Sequence, residues 1–121
     1  MWHKIVCRKA VGEVAFGRPG YAHLLCFSQR QRDEIARSYA DVLPSTGEMT
    51  WSQATGVAAC ELACRYVRSH SETRTIVDPF CGVGTVLAVA NRLGLDAVGV
   101  EIVRKRARKA RNLRLDGLAE S

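Results

Sequence analysis

The residues best placed to do chemistry in this chain are Asp78-Pro79-Phe80-Cys81-Gly82-Val83-Gly84-Thr85 and, nineteen positions after Gly82, Glu101. Two glycines two apart let a backbone turn tightly and let a ligand approach the peptide closely. An acid at the tip of the next strand can accept hydrogen bonds from both ribose hydroxyls of an adenosine. Dinucleotide sites share both features, but two details differ here. The third glycine of the dinucleotide fingerprint would fall at Leu87, where it is absent. Asp78 also sets a carboxylate beside the turn, which repels a pyrophosphate and attracts the α-ammonium of S-adenosylmethionine (SAM), a cofactor without phosphate. The sign of the charge therefore favours SAM over NAD. Each acid alone has a plainer account: Asp78-Pro79 as turn chemistry, and Glu101 as an acid favoured by a helix dipole. Their joint spacing is what points to a nucleotide.

Elements of a particular kind must position these residues. Thr75-Ile76-Val77 reads as a short strand ending at Asp78, followed by a helix from Thr85 to Leu93 that Gly94 closes. Asp96 to Val100 reads as a second strand ending at Glu101, and Val103 to Leu115 as a helix with Val103, Ala107, Ala110 and Leu113 facing inward. Strand, helix, strand, helix at this spacing implies parallel strands joined by a crossover, hence an α/β fold. Upstream, Val57, Cys60, Cys64 and Val67 share one face of a 3.6-residue period, predicting a helix over 53–67 with Ser52 as N-cap. Trp2 to Arg8 and Ala22 to Ser28 read as strands of a hairpin, with Gly12, Gly17, Pro19 and Gly20 in the connection. Residues 29–48 are polar, with a short helix expected near Asp33 to Ala40. The organisation is one domain over 1–121: a hairpin to 29, a polar connection over 30–50, and a nucleotide-binding part over 51–121.

Composition sets the class. At 121 residues and 47% apolar content, a single folded domain is expected. No apolar run approaches the length of a membrane span, and the first residues lack a secretory signal, so the expectation is a cytoplasmic protein with no membrane partner. The cysteines, Cys7, Cys26, Cys60, Cys64 and Cys81, are odd in number and include no Cys-x-x-Cys pair, which argues for reduced packing residues and no metal site. The net charge is +6, and seven Lys or Arg residues lie between Arg104 and Arg114. Such a stripe suits a phosphate backbone, or it is the solvated face of an outer helix.

Asp78 to Thr85 resembles the Asp-Pro-Phe-x-Gly-x-Gly-Thr turn of methyltransferases acting on amino groups of nucleic acid bases. Val98-Gly99-Val100-Glu101 with a following basic helix resembles their second adenosine motif. With the hairpin Trp2-His3-Lys4-Ile5-Val6 and His23-Leu24-Leu25-Cys26-Phe27-Ser28-Gln29 placed before it, the order resembles the circularly permuted β-class DNA amino-methyltransferases. That resemblance implies a Rossmann-like, class I SAM-dependent methyltransferase fold. It implies SAM contacts from Asp78, Pro79, Phe80, Gly82, Gly84, Thr85 and Glu101. Thr50 and Trp51, with Ser52 and Gln53, would lie at the methionine end.

The departures shape the expected function. These enzymes hold the target amino group with a Pro-Pro-aromatic loop, and no Pro-Pro occurs here, so no catalytic residue is named. The connection over 29–48 is too short for a base-reading domain. The chain would supply only part of the family's sheet, an incomplete fold with an open strand edge. It is expected to be the C-terminal part of a longer enzyme, or to be completed by a second copy or a partner chain, or to form a rearranged small sheet that only binds SAM. The expected function is SAM-dependent N-methyl transfer to a nucleic acid base. The alternatives are part of a tRNA or rRNA guanine methyltransferase, whose turn shares Cys81, a non-catalytic SAM-binding module, or a small NAD-binding fragment.

Overall fold

The computed structural model describes residues 2–29, 40–52 and 54–115, in two compact units, Met1–Thr46 and Gly47–Ser121. Together they make a mixed α/β chain of five strands and three helices among the described residues.

The first unit is a small sheet built on the expected hairpin. β1 (Trp2–Cys7) pairs antiparallel with β2 (Tyr21–Cys26), from Trp2↔Cys26 to Cys7↔Tyr21. The N–H groups of Arg8 and Lys9 both donate to the Gly20 carbonyl, closing the long connection at its base. A third strand, β3 (Val42–Leu43), runs parallel to β1 on its other edge. Two residues carry no periodicity, so the sequence offers no sign of it. Its anchor is Asp41, whose carbonyl accepts from the Ile5 N–H at 2.9 Å and whose carboxylate takes the Lys4 Nζ at 2.7 Å. Lys4 is buried, and a buried ammonium requires such a partner. The same hydrogen bond and charge hold the Asp41 carboxyl below its ordinary pKa. The helix expected near Asp33 to Ala40 lies, apart from Ala40, outside the described residues.

In the second unit, α1 (Val57–His70) begins four residues later and ends three later than its apolar period suggested. Ser52 is not its N-cap. Gly56 occupies that position with φ 97°, a conformation L residues rarely adopt, and the Val57 N–H is satisfied by the Glu48 carbonyl at 2.9 Å. A tertiary acceptor has replaced the local cap. Of the predicted face, Val57, Cys60 and Cys64 are buried and Val67 is half-buried, and Ala59 and Tyr66 are buried as well.

β4 (Thr75–Asp78) and β5 (Asp96–Gly99) form a parallel pair in register from Thr75↔Asp96 to Asp78↔Gly99. Between them α2 (Thr85–Arg92) ends as the sequence indicated, with Gly94 at φ 78°. The Leu95 N–H reaches the Ala90 carbonyl and the Gly94 N–H that of Asn91, which satisfies the last carbonyls and turns Leu95 into the core. Val89, Ala90, Leu93 and Leu95 pack with Val57, Cys60 and Cys64 of α1 and with Leu115, and Ile76 and Ala97 of the strands lie against them. An ion pair of Glu61 with Arg92 joins α1 to α2 at the edge.

α3 (Arg104–Asn112) is shorter than expected, because Leu113 is extended. Of its predicted inward face, Ala107, Ala110 and Leu113 are half-buried, while Val103 is exposed. No α3 residue is buried; Leu115, beyond the helix, takes the core position. Across the sheet, the register partners Val77 and Val98 are 65% and 53% exposed, so one face of this parallel pair has no covering layer among the described residues. No helix among the described residues is long and apolar enough to cross a membrane.

Candidate functional site

The parallel register brings the two strand tips side by side, and Asp78 and Glu101 with them. The Val100 N–H donates to the Asp78 carbonyl at 2.9 Å, and the Cys81 N–H to the Val100 carbonyl at 3.0 Å. The turn and the end of β5 are therefore one bonded unit. Both acids are half-buried. Asp78 Oδ1 accepts the Phe80 N–H at 3.0 Å, and Glu101 Oε1 accepts the Val103 N–H at 2.7 Å. The plainer accounts of both acids, as a turn former and as a helix-start acid, are thus true as far as one oxygen goes. In each case the second carboxylate oxygen has no hydrogen-bond partner among the described residues, and its direction is set by the first.

The glycines are required for different reasons. Gly82 lies at φ 57° and Gly84 at φ 89°, both left-handed. A Cβ on Gly84 would also stand 2.9 Å from Ala110 of α3, so that glycine permits helix α3 to close on the turn. Gly99, at the end of β5, is equally constrained: a Cβ there would lie 2.5 Å from Leu87 Cδ1 and 2.7 Å from Cys81 Sγ. Where the dinucleotide fingerprint keeps helix and strand close with a glycine on the helix, here the helix carries Leu87 and the strand carries the glycine. The absence of the third glycine thus has a packing explanation.

Thr50 and Trp51 reach this turn from the segment before α1. Thr50 Oγ1 and Thr85 Oγ1 are hydrogen-bonded at 2.5 Å, with Thr85 buried. The Trp51 ring lies beside Gly82, whose Cβ position would be 3.6 Å from Cζ2. The Arg106 guanidinium sits 5.0 Å from the Trp51 ring centroid, within cation–π range. Thr85 therefore holds its neighbours in place with its hydroxyl. Pro79 and Phe80 point outward, Phe80 at 89% exposure. Ser52 is exposed, and Gln53 falls outside the described residues.

Three features were not singled out from the sequence. Ile102, directly after Glu101, is 95% exposed. Arg106 stacks on Trp51, a contact across more than fifty residues with no local signature. A groove of about 390 Å³ is lined by Thr50, Trp51, Val83, Arg108, Lys109, Asn112 and Leu113. No cluster of three or more His, Cys, Asp or Glu residues suited to a metal occurs among the described residues.

Residues 37–112, more than half of the chain, match the N6/N4 DNA methylase family. Among solved structures, a protein of Thermus thermophilus provisionally assigned as a DNA modification methylase aligns with a TM-score of 0.56 and 24% sequence identity. The alignment covers 93% of this chain and 53% of that one, so this chain spans about half the length of that protein. At that identity the likeness speaks for the fold. No curated protein matches. By the match over 37–112, this chain belongs to the N6/N4 DNA methylase family.

Proposed function

We propose that this chain carries the SAM-binding part of a Rossmann-like methyltransferase that places a methyl group on an amino nitrogen of a nucleic acid base. One observation carries this reading: two carboxylates, Asp78 and Glu101, stand at adjacent tips of parallel strands around a left-handed glycine turn, each with one oxygen fixed and one unclaimed among the described residues. SAM, when bound, supplies a methyl group on a sulfonium that is itself a good leaving group, so positioning does most of the work.

The residues present fit such a group. The second oxygen of Asp78 is suited to the α-ammonium, and that of Glu101 to the ribose hydroxyls. Gly82 and Gly84 give the turn its left-handed backbone, and Gly84 also lets α3 close against it. Phe80 and Ile102, apolar and almost fully exposed beside the two acids, offer contact to a purine face. Trp51 borders the Gly82 side of the turn, and Thr85 fixes Thr50. The sequence holds no Pro-Pro-aromatic segment, so this chain supplies the cofactor half of the reaction and not the grip on the target base.

The test is calorimetric titration with SAM, and with NAD in parallel, using Asp78→Asn and Glu101→Gln. These substitutions keep an oxygen for the Phe80 and Val103 N–H groups while removing the charge, which alanine would not do. A hydrogen bond to a charged group is worth about 1.5–3 kcal/mol, so each variant should weaken SAM by roughly ten- to a hundredfold. Undiminished SAM binding in both variants, or tighter binding of NAD, would sink the reading.

A further inference from the structure

We infer that the exposed face of α3 is a docking surface for the phosphate backbone of duplex DNA. Arg104, Arg108 and Arg111 recur at i, i+4 and i+7 along one side of the helix, and Lys105 and Lys109 flank them at i and i+4. All five are exposed. None has an acidic partner among the described residues, where the ion pairs are Lys4 with Asp41 and Glu61 with Arg92. A helix that is merely solvated usually mixes the two signs of charge, because like charges at i, i+4 repel. This one carries six cations and no acid, as many as the chain's whole excess of +6.

Two further features separate the surface from a diffuse basic patch. Arg106 is turned away from the stripe and pinned on Trp51, so α3 is oriented by its half-buried side and its other cations are left outward. Beside the stripe runs the groove in which Arg108, Lys109 and Asn112 stand over Thr50, Trp51, Val83 and Leu113, so its polar rim belongs to α3 and its floor is mostly apolar. That rim combines two cations with an amide, donors that position phosphates without reading sequence. The choice of DNA over other polyanions rests on the functional reading above; the polyanion surface itself does not.

Binding of the full chain to a short duplex DNA should be measured by fluorescence anisotropy between about 50 and 200 mM salt. Arg104→Gln/Lys105→Gln/Arg111→Gln, three exposed positions outside the groove, keeps good helix formers, and circular dichroism confirms the helix. Its control, Arg8→Gln/Lys9→Gln/Arg18→Gln, removes the same charge from the first unit. The α3 variant should bind at least tenfold more weakly at 50 mM salt, with the salt slope reduced by about 0.9 per lost contact. The control should retain its slope. SAM titration of the same α3 variant should be unchanged, so a failed cofactor site and a failed docking surface give different results. Equal losses in both triple variants, an unaltered slope, or wild-type binding to phosphatidylserine vesicles but not to DNA would overturn the assignment.

Discussion

The Cys81 thiol lies in the field of both Asp78 and Glu101, and burial together with these two carboxylates raises its pKa. Its reactivity therefore reports on the charge of the turn. Alkylation follows the thiolate, so the rate at Cys81 should rise with pH at a midpoint above that of a free cysteine, about 8.5. Removing either charge with Asp78→Asn or Glu101→Gln should move the midpoint down. Mass-spectrometric quantification of the Cys81 peptide after timed iodoacetamide treatment reads it, and a wild-type midpoint at or below the free value would contradict this placement. The two acids and the glycine pair were legible in the sequence because a strand-tip turn is local: its residue types and spacing are its geometry. Arg106 on Trp51 and Thr50 on Thr85 were not, because each pair is brought together only by packing of α1, α2 and α3.

At the scale of elements, α2 and its two neighbouring strands followed from local signals, and the boundaries of α1 and α3 did not. Gly94 ended α2 as predicted because the left-handed residue there is its own stop signal. The start of α1 depends on the Glu48 carbonyl, a tertiary partner that no N-cap rule contains. Strand β5 and helix α2 meet at Gly99 and Leu87, and this contact makes a prediction. Gly99→Ala should destabilise the second unit by about 1–3 kcal/mol through overpacking against Leu87 and Cys81. Adding Leu87→Ala should restore part of the loss, so that the double variant is less destabilised than the two single effects summed, by roughly 1 kcal/mol. Relief stays partial because Cys81 Sγ remains 2.7 Å from the added carbon. Gly94→Ala has open space around it and should cost only the left-handed backbone penalty, about 1–2 kcal/mol, whereas Gly84→Ala adds the overlap with Ala110 and should cost more. Urea unfolding of the variants ranks them. Additive Gly99 and Leu87 effects, or Gly94→Ala as costly as Gly84→Ala, would mean that the contact is not as tight as drawn.

Over the whole molecule, the α/β class was legible because alternating strand and helix patterns in the second half admit few topologies. What was missed, β3 and its buried Lys4 anchored on Asp41, rests on two strand residues and one long-range ion pair. The core that closes the second unit carries two thiols, Cys60 and Cys64, and these tie stability to pH. Burial, then the neighbouring Cys64 and the charges of Asp78 and Glu61, push Cys60 up to about 12, and burial with Glu61 raises Cys64. In the unfolded chain both thiols ionise near the ordinary value, about 8.5. Above that pH, and up to the raised values, the folded state binds more protons than the unfolded one, so stability must fall as pH rises. Below it the contribution is fully present. Cys60 alone should remove at most about 1.4 kcal/mol per pH unit in this window. Cys60→Ala should begin lower at neutral pH, since it opens a small gap between α1 and α2, yet lose less with each step into alkali. Lysine and tyrosine titrations are common to both proteins and cancel in the difference. Urea midpoints at neutral pH and at about 9.5 and 10.5, spanning that window, measure it. Converging curves place the thiols in the α1–α2 core, and parallel curves would mean that Cys60 is already open to solvent in the folded chain.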